Sequence, residues 1–111
     1  MPTPEYAVIL STCKDRPEAE SIAARLVNDG VAACVSIVDT ITSIYRWKGK
    51  VEKTTEALLI IKTRSVLADR VERTIRDLSS YECPEVIVLP IVKGSEDYLR
   101  WIAGETSEGQ D

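Results

Sequence analysis

The segment at residues 32–63 constrains the fold more than any other part of the chain. Its first half is rich in β-branched and aromatic residues, and its second half ends in an apolar block at residues 57–61. Between the halves lies Lys48-Gly49-Lys50, where glycine takes a positive φ at little steric cost. The pattern predicts a β-hairpin with arms longer than about ten residues, whereas a typical strand has about five or six. Part of such a hairpin should project from a small domain and pack against something else.

The rest of the chain surrounds this hairpin with alternating strand and helix patterns. The predicted elements are a strand at residues 6–12, a helix from Asp15 to Gly30, the two hairpin arms, a helix from Ser65 to Leu78, a strand at residues 86–92 and a short helix after Ser95. This βαββαβ order, followed by a short C-terminal helix, predicts an α+β fold of the ferredoxin-like type. Right-handed crossovers then place both main helices on one face of the sheet.

Apolar spacing predicts which helix residues face inward. They are Ala19, Ile22, Ala23, Leu26 and Val27 in the first helix, Leu67, Val71, Ile75 and Leu78 in the second, and Tyr98, Leu99 and Ile102 in the last. In the first helix, Asp15 and Glu18 have the spacing of a capping box. We expect a single domain over residues 1–111, with an ordered core at about 5–103 and a flexible tail at 104–111.

The strands indicate that the sheet is buried on both faces. Residues 7–10, 57–61 and 86–89 are apolar at consecutive positions rather than alternating with polar ones. If the second face of the sheet were exposed to solvent, it would present more apolar surface than the roughly 300–600 Å² that monomers usually tolerate. The chain is therefore expected to form a homo-oligomer through its sheet. Tyr45 and Trp47 on the hairpin are the expected aromatic interface anchors, with the walls of a pocket as their alternative role.

Composition excludes several classes of function. A net charge of −4 argues against nucleic-acid binding, and no apolar run approaches the length of a membrane span. The first residues do not resemble a secretory signal, and three widely spaced cysteines suggest no disulfide framework, which predicts a cytoplasmic protein. The chain has no histidine, so Ser–His and Cys–His nucleophiles are impossible. There is also no phosphate-binding loop, and we expect a protein that is not an enzyme.

Two groups of residues are candidates for binding a cation. Cys34 is either a small buried side chain or a soft ligand for a thiophilic ion such as Cu(I). Cys83 is flanked by Glu82 and Glu85, so this loop is either a solvated acidic segment or a weaker metal site. Two further charged residues flank the apolar run at residues 57–61. Lys62 either extends to solvent or faces an anion, and Glu56 either pairs with Lys62 or binds a cation.

Several motifs in series resemble the CutA family of divalent-cation tolerance proteins. They are A-A-C-V at 32–35, T-S-I-Y-R-W-K-G-K at 42–50, L-L-I-I-K-T at 58–63, Y-E-C-P-E at 81–85, L-P-I at 89–91 and D-Y-L-R-W-I at 97–102. The resemblance implies a ferredoxin-like subunit, a tight homotrimer and a role in tolerance of divalent metals, above all copper. It implies no catalytic activity and no required cofactor, although copper or another divalent cation is an expected ligand.

The resemblance also implies particular site residues. Cys34 matches the metal-associated cysteine of the family, and Lys62, Tyr81, Pro84, Glu85, Tyr98 and Trp101 are expected to line a cleft between subunits. Ser79-Ser80 stand where the family usually has His-Pro, which removes one potential metal ligand. The similarity of the CutA trimer to PII signalling proteins implies an alternative function, in which the cleft binds a small anionic ligand through Lys62. A third possibility is a trimer that only docks partner proteins through its hairpin.

Overall fold

The structure, a computed structural model, describes residues 4–107. The described elements are β1 (Tyr6–Cys13), α1 (Arg16–Asn28), β2 (Cys34–Trp47), β3 (Lys50–Arg64), a 3₁₀ turn (Ser65–Leu67), α2 (Ala68–Leu78), β4 (Ile87–Pro90) and α3 (Glu96–Gly104). The strands form one antiparallel sheet in the order β2-β3-β1-β4. The predicted α+β class is thereby confirmed.

The long hairpin is confirmed, and its outer half projects from the sheet. β2 and β3 contain 14 and 15 residues. Lys48 and Gly49 both have positive φ, 49° and 82°, as a two-residue type I′ turn requires. β1 pairs with β3 only from Arg64 back to Ala57, so residues 50–56 pair with β2 alone. At about 3.4 Å per residue this projection extends roughly 20 Å. A bulge in β2 between Val38 and Ile41 lies where the projection begins.

One face of the sheet carries both main helices and the hydrophobic core. Leu59 and Ile61 of β3 are fully buried there, beside Ile9 of β1. The helices contribute Ile22, Leu26, Val71 and Ile75 to the same core. The four helix residues are among those that the apolar spacing predicts, because helix positions three and four apart share a face.

The opposite face of the sheet is apolar and only partly covered. Its side chains, which we call the open face, are Val8, Leu10, Leu58, Ile60, Ile87 and Leu89. Ile87 and Leu89 are exposed, and the others are half-buried. Helix α3 covers the end of this face near Arg64, whose Nε donates to Thr106 Oγ1 at 2.8 Å. The predicted second apolar face therefore exists, and most of it remains available for contact.

Three predictions about the helices and ends need correction. Val27 and Tyr98 were expected to face inward but are exposed, because α1 and α3 each contact the sheet along a narrower stripe than their apolar residues cover. The last strand is Ile87–Pro90 rather than residues 86–92, and beyond it, among the described residues, only the Ile91 N–H still donates to β1, at the Tyr6 carbonyl 3.0 Å away. The ordered core continues past residue 103, because Thr106 is buried and donates to the Ile102 carbonyl at 3.0 Å. The remainder of the predicted tail, 108–111, lies outside the described residues.

The start of α1 also differs in detail from the predicted capping box. Asp15 Oδ1 accepts from the Glu18 N–H at 3.0 Å, as predicted. The Glu18 carboxylate, however, accepts from the N–H of Lys14 at 3.3 Å instead of from the cap residue itself. Its other oxygen accepts from the N–H of Ser80 at 2.9 Å. Glu18 therefore joins the start of α1 to the loop that follows α2.

Candidate functional site

A cleft of about 540 Å³ lies where the hairpin leaves the sheet. We call it the hairpin cleft. One wall is the projecting part of β2 and β3, and the other is the loop between α2 and β4. Its lining residues are Thr12, Ser43, Ile44, Tyr45, Trp47, Glu56, Ser80, Tyr81, Glu82, Cys83 and Glu85. The predicted loop residues and hairpin aromatics are therefore brought together around one cavity.

Two hydrogen bonds hold the loop against the rest of the fold. Tyr81 OH donates to Glu56 Oε1 at 2.8 Å, which ties the loop to β3. The N–H of Ser80 donates to Glu18, which ties it to α1. Because both neighbours of the loop are regular elements, the wall carrying Glu82, Cys83 and Glu85 has a defined position.

The hairpin cleft is strongly acidic. Glu56 is only 8% exposed, although it carries a carboxylate. Burial, and then the charge of Glu56, raises the pKa of Glu85 above its ordinary value. Burial and the hydrogen bond to Glu56 likewise raise the pKa of Tyr81, so its hydroxyl stays protonated and remains a donor. The cleft thus holds one carboxylate, that of Glu85, in surroundings that disfavour its negative charge.

Replacing Tyr81 with phenylalanine should destabilise the protein by about 1–3 kcal/mol. The change removes the only hydrogen bond that the described residues give to Glu56, and it leaves a buried carboxylate without a donor. Urea denaturation at fixed protein concentration measures the effect. Tyr45→Phe is the matched control, because Tyr45 lines the same cleft but has no hydrogen bond among residues 4–107. Equal stability of the two variants would contradict this role of Tyr81.

Glu85 should make the protein less stable as the pH rises. Its pKa is raised in the folded protein above the ordinary value of 4.5, so the folded state binds more protons than the unfolded state in that range. Stability is then lost as the pH climbs from about 4.5 through the raised pKa. The variant Glu85→Gln should lose this component, so its advantage over the original protein should grow with pH in thermal denaturation. An advantage that is constant with pH would contradict the prediction.

A second group of polar residues lies near the covered end of the open face. Lys62 Nζ donates to Ser36 Oγ and lies 3.8 Å from Cys34 Sγ. Tyr98 of α3 reaches the same thiol, and burial together with Cys34 raises the pKa of Tyr98. The Tyr98 and Trp101 rings are 5.5 Å apart. We call Cys34, Ser36, Lys62 and Tyr98 the Cys34 cluster.

The six residues predicted for one cleft thus divide between two places. Tyr81, Pro84 and Glu85 belong to the loop beside the hairpin cleft, whereas Lys62, Tyr98 and Trp101 lie at or beside the Cys34 cluster. Lys62 lies six positions after Glu56 on β3, which is roughly 20 Å along a strand. The expected pairing of these two charges is therefore excluded. A single cleft containing all six residues requires more than one subunit.

The described residues also hold no preformed metal site. Among residues 4–107, no three His, Cys, Asp or Glu side chains lie close enough together to hold a metal ion. Cys34 is half-buried beside a lysine, and Cys83 is exposed. Cys13 is buried at the end of β1, and burial and nearby carboxylates raise its pKa to about 12. Metal binding at Cys34, or at Glu82, Cys83 and Glu85, remains a prediction.

The sequence analysis did not identify some residues of the hairpin cleft and of the Cys34 cluster. Thr12 and Ser43 in the hairpin cleft and Ser36 in the Cys34 cluster were not singled out. No local pattern marks them, because they are polar residues on strands whose neighbours in space are far away in sequence. Glu56 did carry a signal: a lone carboxylate directly before a run of five apolar residues.

The family of the chain follows from a comparison with known proteins. The family model described as CutA1 divalent ion tolerance protein matches residues 7–105. The chain belongs to the CutA1 family. The resemblance in the sequence motifs is thereby confirmed, and the match covers both the hairpin cleft and the Cys34 cluster.

Individual CutA proteins agree with this assignment. The protein CutA homolog of Xenopus laevis is 47% identical over 91 residues, which are 82% of this chain and 60% of that one. The crystal structure of CutA1 from Oryza sativa has a TM-score of 0.92 and 38% identity, and the match covers 96% of this chain and 98% of that one. The chain spans about half to three-fifths of the length of the first vertebrate relatives.

The comparisons leave the cellular location open. A CutA structure from Archaeoglobus fulgidus has a TM-score of 0.88 and 37% identity over 90% of this chain and 97% of that one. That protein is described as a periplasmic divalent cation tolerance protein. Within residues 4–107, none of the helices has the length and apolar character needed to cross a membrane. A cytoplasmic location remains a prediction.

Proposed function

We propose that this CutA protein contributes to tolerance of divalent metals, copper foremost, as a non-enzymatic homotrimer of ferredoxin-like subunits. The main observation that supports this proposal is the family match over residues 7–105. The strand order β2-β3-β1-β4 with both main helices on one face supports the ferredoxin-like description. The open face and the projecting hairpin, on which Ile44 and Val51 are 68% and 66% exposed, support assembly. Tyr45 and Trp47 would lie near such contacts.

In this proposal metal ions are bound by groups from more than one subunit. Cys34 offers a soft thiol ligand, but the Lys62 ammonium lies 3.8 Å from it and opposes a cation. Groups from a neighbouring subunit are needed to outweigh that charge. The acidic loop offers Glu82, Cys83 and Glu85 as further ligands. The ions are cargo, and no resident cofactor is required.

A copper titration tests the proposal. The reduced, metal-free protein is titrated with Cu(I) and Cu(II) against a chelator of known affinity, while light scattering measures its mass. Cys34→Ser and Cys83→Ser run beside the original protein, because each removes one thiol without changing the charge. Stoichiometric binding by a trimer that is lost in one variant supports the proposal and identifies the ligand. A monomer, or weak binding unchanged in both variants, contradicts it.

The Cys34 cluster supports a second candidate function, a PII-like response to a small anionic ligand. Lys62 places an ammonium between Ser36 and Cys34, and the Tyr98 hydroxyl lies on the side of Cys34. The ammonium and the hydroxyls can donate hydrogen bonds to an anion. A bound anion such as ATP should raise the thermal stability of the protein by RT ln(1 + [L]/Kd). Lys62→Ala should abolish this gain, whereas Lys93→Ala, an exposed lysine elsewhere, should keep it. No gain with ATP contradicts nucleotide binding.

A further inference from the structure

We propose that the hairpin cleft binds an aliphatic polyamine, with one ammonium group at Glu56 and Glu85 and another between Trp47 and Glu82. This site and its ligand class go beyond divalent-metal tolerance. They rest on the charge, burial and shape of a cleft whose described lining belongs to one chain.

The inner end of the cleft lacks a positive charge. Glu56, Glu82 and Glu85 line the cavity, and the described lining contains no lysine or arginine. Glu56 is more than nine-tenths buried, and only its Oε1 accepts a hydrogen bond from the described residues, the one from Tyr81. Its Oε2 has no such partner, although the carboxylate lines the cavity. A buried carboxylate without a counter-charge is costly, and an ammonium group that donates to Glu56 and Glu85 removes this cost.

The mouth of the cleft already holds an ammonium group. Lys48 Nζ lies 5.6 Å from the centre of the Trp47 ring and 3.6 Å from Glu82 Oε1. An aromatic face together with a carboxylate is the pairing that recognises alkylammonium ions. Both members of the ion pair are exposed, so Lys48 is weakly held and a ligand can displace it. The position of Lys48 thus indicates that the mouth of the cleft can bind an alkylammonium group.

Shape distinguishes a polyamine from a bare metal ion. A divalent ion such as Ca²⁺ or Mg²⁺ needs several oxygen ligands at about 2.0–2.6 Å from one point. Residues 4–107 contain no group of three His, Cys, Asp or Glu side chains placed to hold such an ion. The cleft volume of about 540 Å³ instead falls in the range of small-molecule pockets. Ile44, Tyr45 and Trp47 supply an apolar wall for the methylene groups between two ammonium ends.

Binding of hexamethylenediamine and spermidine to the full chain, in its native oligomeric state, tests the proposal. Calorimetry measures affinity, and Trp47 fluorescence reports occupancy of the mouth in a Trp101→Phe background. We expect saturable binding of both amines and none of hexanediol, which has the same length as the diamine but no charge. Glu56→Gln should weaken binding about tenfold or more, because the amide keeps the acceptor for Tyr81 but loses the charge. Lys48→Gln should tighten binding, since it removes the competing ammonium.

Asp77→Asn is the matched control, because it removes one negative charge from an exposed position on α2. It should leave affinity unchanged. Equal weakening by Asp77→Asn and Glu56→Gln would overturn the proposal in favour of nonspecific attraction to an acidic protein. Absence of amine binding, or binding that Glu56→Gln does not change, would overturn it as well. The copper titration with Cys34→Ser and Cys83→Ser is independent, so failure of either proposal leaves the other standing.

Discussion

Replacing Ile60 with aspartate should separate the proposed homotrimer into monomers. Ile60 lies on the open face, opposite Leu10 of β1 and Ser36 of β2, and it is half-buried in the single chain. In an oligomer that packs through this face, the new carboxylate would be buried without a partner, which costs several kcal/mol per interface. In a monomer the same carboxylate remains in contact with water. The substitution therefore favours the separated subunits.

Light scattering at micromolar concentration measures this result, and circular dichroism establishes that the monomer is folded. Val66→Asp is the control, because Val66 is exposed on the 3₁₀ turn and does not belong to the open face. It should leave the oligomer intact. An original protein that is monomeric, or an Ile60→Asp variant that keeps the original mass, would contradict assembly through the open face.

Shortening the neighbouring residue Leu59 to alanine should instead destabilise the fold, by about 2–5 kcal/mol. Leu59 precedes Ile60 on β3 and points to the other side of the sheet, where it is fully buried against both main helices. The substitution removes three carbon atoms from a close-packed core and leaves a cavity. Because domains of this size are stable by only about 5–15 kcal/mol, the loss is a large part of the total.

Urea denaturation measures this loss, at one protomer concentration because assembly contributes to apparent stability. Val66→Ala serves for comparison and should change stability by less than about 0.5 kcal/mol, since its side chain is exposed. The mass of Leu59→Ala at native conditions should equal that of the original protein. If Leu59→Ala were as stable as Val66→Ala, the assignment of strand faces would be wrong.

The opposite results expected at Leu59 and Ile60 indicate what could be predicted from the sequence. Residue spacing is a local property, so the hairpin, most of the inward-facing residues of the two main helices and the second apolar face follow from it. The turn at Lys48-Gly49 is equally local, because only residues that tolerate positive φ fit there. Each of these predictions depends on residues that are close in the chain.

Predictions that depended on contacts between distant segments were less successful. Tyr98 and Trp101 carry apolar character, but spacing cannot tell whether a helix face is covered by its own chain or by another subunit, and both are exposed in the single chain. The partner of Glu56 proved to be Tyr81, 25 residues further on, rather than Lys62 on the same strand. The distance between these charges along β3 follows only once the strand is known to be continuous.

The position of Glu18 has a consequence for the motions of the molecule. One of its oxygens accepts from the N–H of Lys14, just before α1, and the other accepts from the N–H of Ser80 in the loop that walls the hairpin cleft. Fraying at the start of α1 and opening of the cleft each break a hydrogen bond to the Glu18 carboxylate. We therefore expect the two motions to occur together. Hydrogen exchange at Lys14 and at Ser80 should rise and fall together, although the two residues are 66 positions apart in the chain.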